Sequence, residues 1–97
     1  MLIVDRYQCL IFSFYREEPE VTLFLGPLRS CKFERRWEAI KIECLGKDHL
    51  EEVLKIIPYI IRPFGLLGLC RKIILSAPKR KKLTYLVERT FYSDLIS

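Results

Sequence analysis

A change in the spacing of apolar residues around Gly46 constrains the fold more than any other feature of this sequence. Within Trp37–Leu45, Ile40, Ile42 and Cys44 point to one side, and Ala39, Lys41 and Glu43 point to the other. This period of two residues favours a strand of an antiparallel sheet with one solvated face. After Gly46 the spacing becomes that of one buried helical stripe. The stripe consists of Leu50, Val53, Leu54, Ile57, Ile60 and Ile61.

The predicted helix spans about residues 48–62. Asp48 is a favourable N-cap residue, and Glu51 lies three positions later, as in a capping box. Pro58 removes a backbone donor within this pattern, so we expect the helix to kink or break there. Pro63 and Gly65 then predict its end.

Strand-forming segments flank this central unit. Ile3–Tyr15 and Val21–Leu25 are rich in β-branched and aromatic residues, and Pro19 lies in the polar break between them. They predict a first hairpin. Cys70–Ser76 and Leu83–Phe91 predict a second one, whereas residues 28–36 fit either a strand or a loop.

These elements predict a single α+β domain that comprises residues 1–97. The predicted fold has about five mostly antiparallel strands, with one main helix at about 48–62 packed on the sheet. The order along the chain is β-β-β-α-β-β, and the pattern leaves the order of strands within the sheet open.

The cysteines favour reduced thiols over a disulfide framework. The sequence has four cysteines in 97 residues, and its first residues lack the basic segment and cleavage site of a signal peptide. No stretch is long and apolar enough for a transmembrane helix, because Val53–Cys70 is interrupted by charges and prolines. We therefore expect a cytoplasmic or nuclear protein in which the cysteines act as small core residues.

The sequence contains no recognisable catalytic or cofactor-binding pattern. His49 is the only histidine, and no pair of cysteines has the close spacing of a zinc motif. The segment Gly65–Gly68 lacks the Lys-Ser/Thr of a phosphate-binding loop. We predict a non-enzymatic protein without a catalytic site, a metal or a cofactor, although the residues leave open a pairing of His49 with a thiol.

The positive charge is concentrated in the C-terminal part of the chain. The formal net charge is +5. Residues 1–69 contain ten basic and ten acidic residues, and residues 70–97 contain seven basic and two acidic ones, which gives the whole excess of five. Four consecutive cations, Lys79 to Lys82, lie between the two strands of the predicted second hairpin.

This charge predicts a small nucleic-acid-binding protein that contacts the phosphates of DNA or RNA with a cationic hairpin, residues 70–91. Tyr85, Phe91 and Tyr92 are candidates for stacking on unpaired bases. The same charge is also consistent with a solvated turn, protection against aggregation, nuclear targeting, or attraction to anionic lipid. The candidate nucleic-acid-binding residues are Lys79, Arg80, Lys81, Lys82, Arg71, Lys72, Arg35 and Arg36.

An apolar stretch, residues 56–69, supports an alternative function. Much of it belongs to the core, but exposed members would form a homodimer interface or a docking surface for another protein. Unpaired sheet edges offer a second way to assemble. The alternative is therefore an assembly protein, or a viral accessory protein, without enzymatic activity. Its candidate interface residues are Tyr59, Ile60, Phe64, Leu66 and Leu67.

Overall fold

A computed structural model of the chain describes residues 6–87, which form a four-stranded sheet with helices on one side. None of the helices in this range is long and apolar enough to cross a membrane. The elements, in chain order, are α1 (Arg6–Phe14), α2 (Pro19–Phe24), a 3₁₀ helix (Gly26–Ser30), β1 (Lys32–Arg36), β2 (Ala39–Glu43), α3 (Lys47–Lys55), α4 (Ile57–Leu66), β3 (Lys72–Ser76) and β4 (Leu83–Leu86).

The sheet is mixed and has the strand order β1-β2-β3-β4. Two antiparallel hairpins, β1–β2 and β3–β4, are joined by parallel pairing of β2 with β3. Two adjacent parallel strands require a crossover connection, and α3 with α4 supplies it. The prediction of a small α+β domain is confirmed at this level, but the predicted five strands and their order are wrong.

The core lies between the helices and one face of the sheet. Ile40 and Ile42 of β2 and Ile73 and Leu75 of β3 have no exposed surface. They contact a shared apolar cluster to which α1, the 3₁₀ helix, α3 and α4 all contribute. Because side chains alternate along a strand, the residues between them occupy the opposite face of the sheet, which we call the open face. The charged members of the open face are Lys32, Glu34, Arg36, Lys41, Glu43 and Lys72.

The two predicted N-terminal strands are helices. In α1 the buried positions are Ile11 and, just past the helix, Tyr15, with half-buried Tyr7 one turn earlier. This spacing of four residues is a helical stripe. It was hidden in the sequence because nearly every residue from Cys9 to Tyr15 is apolar, so either period fitted.

Pro19 explains the error in the second segment. It lies in the first turn of α2, where its missing N–H is not required and its fixed φ suits a helix. Leu23 and Phe24 are exposed, whereas Leu25 is buried. The alternation of Val21, Leu23 and Leu25 therefore did not mark one buried face.

The strand and helix around Gly46 agree better with the sequence. The predicted strand 37–45 contains β2, and the predicted helix is divided at Ile56 into α3 and α4, with Pro58 in the first turn of α4. The break expected at Pro58 is therefore confirmed. The predicted capping box is wrong, because the N-cap residue of α3 is Gly46 and no side chain forms a capping hydrogen bond at this helix start.

Helix α4 continues through Pro63 and Gly65, contrary to the prediction that these residues end it. It ends where Gly68 adopts a left-handed φ of 63°. The amide of Leu69 then donates to the Phe64 carbonyl at 3.0 Å, and the amide of Gly68 donates to the Gly65 carbonyl at 3.2 Å. This is a Schellman cap, which glycine favours because it has no Cβ.

A hydroxyl group compensates for the proline inside α4. Pro63 has no N–H to donate to the Tyr59 carbonyl one turn earlier. The hydroxyl of Tyr15 donates to that carbonyl at 2.8 Å. Tyr15 is almost fully buried, and burial raises the pKa of its hydroxyl above the ordinary value. The neutral hydroxyl thus joins α1 to α4 where the helix lacks a donor.

This arrangement predicts that Tyr15→Phe and Pro63→Ala are coupled. In the wild type, Tyr15→Phe should lower the free energy of unfolding by about 1–3 kcal/mol, because it leaves the partly buried Tyr59 carbonyl without its donor. In the Pro63→Ala background the new amide supplies a donor, so the loss should be smaller by about 1 kcal/mol. Urea unfolding of the four proteins measures this difference. An equal loss in both backgrounds would contradict the compensation.

Candidate nucleic-acid interface

The turn between β3 and β4 carries the four consecutive cations, which we call the basic turn (Lys79–Lys82). All four are exposed, and no carboxylate in residues 6–87 forms an ion pair with any of them. The antiparallel β3–β4 hairpin predicted for this region is confirmed, and the run lies in its connection as expected. The part of the prediction beyond Val87 lies outside the described residues.

The backbone of the basic turn is unusual for lysine. The amide of Arg80 bonds the Ala77 carbonyl at 3.2 Å, so Pro78 and Lys79 are the central residues of a β-turn. Lys79 has a φ of 60°, which this position requires and which favours glycine. A left-handed conformation costs an ordinary residue about 1–2 kcal/mol. The chain therefore has a charged side chain where an uncharged glycine would be more stable.

A second group of cations lies at the opposite end of the sheet. The register pairs Arg36 with Ala39, and Ala39 with Lys72, so the β1–β2 turn and the start of β3 are neighbours. The Glu38 carbonyl accepts bonds from the amides of Arg71 and Lys72, at 2.8 and 3.2 Å. These two bonds fix the turn against β3. Glu38 itself has a φ of 54°.

Trp37 is the most exposed large apolar side chain among the described residues, with 90% of its surface accessible. It occupies the two-residue turn, next to Glu38. A cleft of about 490 Å³ opens beside it, between this turn and the connection from α4 to β3. Its lining combines three guanidinium groups with one indole: Arg35, Arg36, Trp37, Glu38, Gly68, Leu69, Cys70 and Arg71. We call this site the Trp37 cleft.

The cations of the Trp37 cleft are only weakly neutralised. Arg71 lies 3.9 Å from the Glu38 carboxylate, and Arg36 lies 3.2 Å from that of Glu34. All four side chains of these pairs are at least 39% exposed, so water screens the attraction. Arg35 lies near Cys70. Burial raises the pKa of the Cys70 thiol, and the Arg35 charge offsets part of this effect.

Between the two ends, the open face carries mixed charge. Lys32 and Lys72 are exposed, whereas Lys41 is half-buried and pairs with Glu43 at 3.3 Å. The five-residue strands separate the two basic groups by about 13 Å along the sheet, at about 3.3 Å per residue. The predicted cations therefore belong to one sheet but to its opposite ends.

The predicted aromatic contacts are placed differently. Tyr85 is half-buried and packs against the core, while Phe91 and Tyr92 lie outside the described residues. The exposed ring beside the arginines is instead that of Trp37, which the alternating pattern assigned to a strand. The available signal was a bulky apolar residue beside Glu38, just before an alternating segment, where a hairpin turn exposes it.

The predicted apolar interface is divided between core and surface. Ile60 and Phe64 are fully buried, so they cannot contact a partner, and their assignment to an interface is corrected. They lie on the core-facing stripe of α4. Tyr59, Leu66 and Leu67 are 37%, 37% and 54% exposed. The ring of Tyr59 also contacts that of Phe24, with centroids 5.5 Å apart.

Two thiols and the imidazole form a cluster that the spacing of these residues along the chain did not predict. The ligand atoms of Cys31, Cys44 and His49 lie within 4.8 Å of one another. His49 is half-buried and bonds the backbone on both sides: its Nδ1 accepts from the Leu45 amide at 2.8 Å, and its Nε2 lies 2.7 Å from the Pro27 carbonyl. These bonds hold the start of α3 against the 3₁₀ helix.

Comparison with known proteins assigns no relationship: no family model, no curated protein and no solved structure matches this chain.

The strain at Lys79 predicts opposite effects of glycine at two lysines of the basic turn. Lys79→Gly should raise the free energy of unfolding by up to about 1 kcal/mol, because glycine adopts the positive φ without strain. Lys81→Gly is the matched control: it removes the same charge, but Lys81 has no positive φ. Glycine there only frees the unfolded chain, so stability should fall. Thermal unfolding compares the two variants. A Lys79→Gly protein no more stable than Lys81→Gly would show that Lys79 is unstrained.

Proposed function

We propose that this protein binds nucleic acid through the two basic ends of its sheet, with the basic turn and the Trp37 cleft as the contact sites. The exposure of Trp37 among three arginines is the observation that carries the proposal most directly. An indole at the surface loses the free energy of burial that an apolar side chain normally gains. A partner that covers this ring recovers it.

The cations supply the attraction to phosphate. Four like charges on one short turn repel one another, and a polyanion relieves that repulsion while it releases its own counterions. The positive φ of Lys79 supports this role, since strain of this kind concentrates at functional sites. Arg35, Arg36 and Arg71 add guanidinium groups, which match the geometry of phosphate oxygens.

The indole favours an unpaired base as its ligand. Bases in a duplex are already stacked on their neighbours, whereas a single strand offers free faces to an aromatic side chain. Each such stack contributes about 1–3 kcal/mol and is tolerant of sequence. The proposal is therefore preferential binding of single-stranded RNA or DNA, with a strand that lies along the sheet from the cleft to the basic turn.

The dependence of affinity on salt tests the role of the basic turn. If Lys79, Arg80, Lys81 and Lys82 each contact a phosphate, replacing all four by Ala should flatten the slope of log affinity against log salt by about 3 for a single strand. Fluorescence anisotropy with a labelled oligonucleotide measures the slope.

The matched control removes four exposed cations from the helical layer, in the variant Arg6→Ala, Arg16→Ala, Lys55→Ala and Arg62→Ala. It loses the same net charge but should keep nearly the wild-type slope, because these residues lie away from the proposed path. An equal flattening of the slope in both variants would show that the effect depends only on net charge. Absence of binding at low salt would contradict the proposal and direct attention to Tyr59, Leu66 and Leu67 as contacts for a protein partner.

A further inference from the structure

The two thiols of the Cys31–Cys44–His49 cluster lie directly opposite each other at the base of the β1–β2 hairpin. The register pairs Lys32 with Glu43. One step beyond this pair, Cys31 precedes β1 and Cys44 follows β2. Both are buried and belong to the core cluster, on the helix-covered side of the sheet. They therefore occupy the next cross-strand position of the hairpin and point the same way.

The hydrogen bonds of His49 distinguish between a metal site and a pair of thiols. An amide N–H can only donate, so the bond from Leu45 requires an unprotonated Nδ1. The proton of the neutral ring is then on Nε2, which donates to the Pro27 carbonyl. Nε2 also lies 3.7 Å from the Cys31 sulfur.

A metal bound at Nε2 would move the ring proton to Nδ1, where it would face the Leu45 amide. The coordination would thus place two donors against each other and break both backbone bonds of the ring. The geometry therefore favours His49 as a structural link and leaves the two thiols as the reactive pair.

We propose that Cys31 and Cys44 are a redox pair that forms a cross-strand disulfide when a small-molecule disulfide, such as oxidised glutathione, acts as the oxidant. Residues that face each other in an antiparallel pair have Cα atoms about 4.5–5.5 Å apart. Disulfides span about 4.4–6.8 Å between Cα atoms. The sulfur atoms already lie within 4.8 Å of each other. Side-chain rotation then suffices, without displacement of the strands.

The chemistry assigns different roles to the two sulfurs. The neighbouring Cys31 thiol lowers the pKa of Cys44, and the same interaction together with burial raises the pKa of Cys31, whose thiol lies 3.6 Å from the Pro27 carbonyl. The Cys44 thiolate attacks one sulfur of the oxidant, forms a mixed disulfide and releases one small thiol. Cys31 then attacks the Cys44 sulfur and expels the second small thiol. Both protein thiol protons and two electrons pass to the oxidant, which leaves as two thiols.

The disulfide would close the hairpin whose turn carries Trp37. It links the two strands at their open end, where the ladder stops and nothing else joins them covalently. A crosslink that closes the loop from Cys31 to Cys44 stabilises the fold because it restricts the unfolded chain. We expect the melting temperature to rise by roughly 10 °C. The redox pair is defined by the thiol geometry alone and does not depend on nucleic-acid binding.

Peptide mapping of the wild-type protein tests the proposal without any substitution. The protein is equilibrated in buffers of reduced and oxidised glutathione, alkylated and digested with trypsin. The expected product is a disulfide between the peptide 30–32, which contains Cys31, and the peptide 42–47, which contains Cys44. The oxidised chain should be lighter by two hydrogen atoms and should melt at the higher temperature.

Variants of the other two cysteines provide the control. Cys9 is exposed and Cys70 is buried elsewhere, so Cys9→Ser and Cys70→Ala should each retain the linked peptides. Two outcomes would overturn the proposal. One is oxidation that yields only mixed disulfides or dimers through Cys9, with Cys31 and Cys44 both alkylated. The other is a stoichiometric zinc ion that the reduced protein holds, that blocks alkylation of both thiols, and that His49→Ala releases.

Discussion

The parallel pairing of β2 with β3 determines most of this structure. Parallel neighbours cannot be joined by a tight turn, so the chain between them must cross over one face of the sheet. Helices α3 and α4 make that crossing, and they bury Ile40, Ile42, Ile73 and Leu75. Helix α1 and the 3₁₀ helix extend the same layer. Since these helices share one side, most charged side chains of the strands lie on the open face.

The same pairing separates the cations into two groups. Each hairpin extends from the central strands, but the β1–β2 turn lies at one end of the sheet and the basic turn at the other. Arg71 and Lys72 are near the basic turn in the sequence, but the fold places them at the opposite end of the sheet, beside Arg36. The strained backbone at Glu38 and Lys79 lies at these ends, one residue in each turn. Both proposed contact sites therefore depend on how the parallel strands are registered.

Local pattern predicted the centre of the chain and failed at its start. The change of period around Gly46 predicted β2 and the helix after it, and Pro58 predicted the division of that helix. The two strand-forming segments after residue 69 predicted the β3–β4 hairpin. Residues 9–15 are too uniformly apolar to show a period, and only Tyr7, Ile11 and Tyr15 facing the core reveal a helix. Pro63 stayed helical because Tyr15 supplies the missing donor, a long-range contact that sequence does not display. The basic turn was predictable from composition, whereas the Trp37 cleft required the fold.

The fluorescence of Trp37 reports on base stacking in the cleft without any label, because it is the only tryptophan in the chain. Titration of the wild-type protein with a short unlabelled single strand, at low salt, should quench its emission as bases stack on the indole. A duplex of the same sequence should bind with little quenching. Strong quenching by the single strand that salt reverses would support the Trp37 cleft as the binding site. Binding without any change in Trp37 emission would contradict the assignment of the cleft as a base-stacking site.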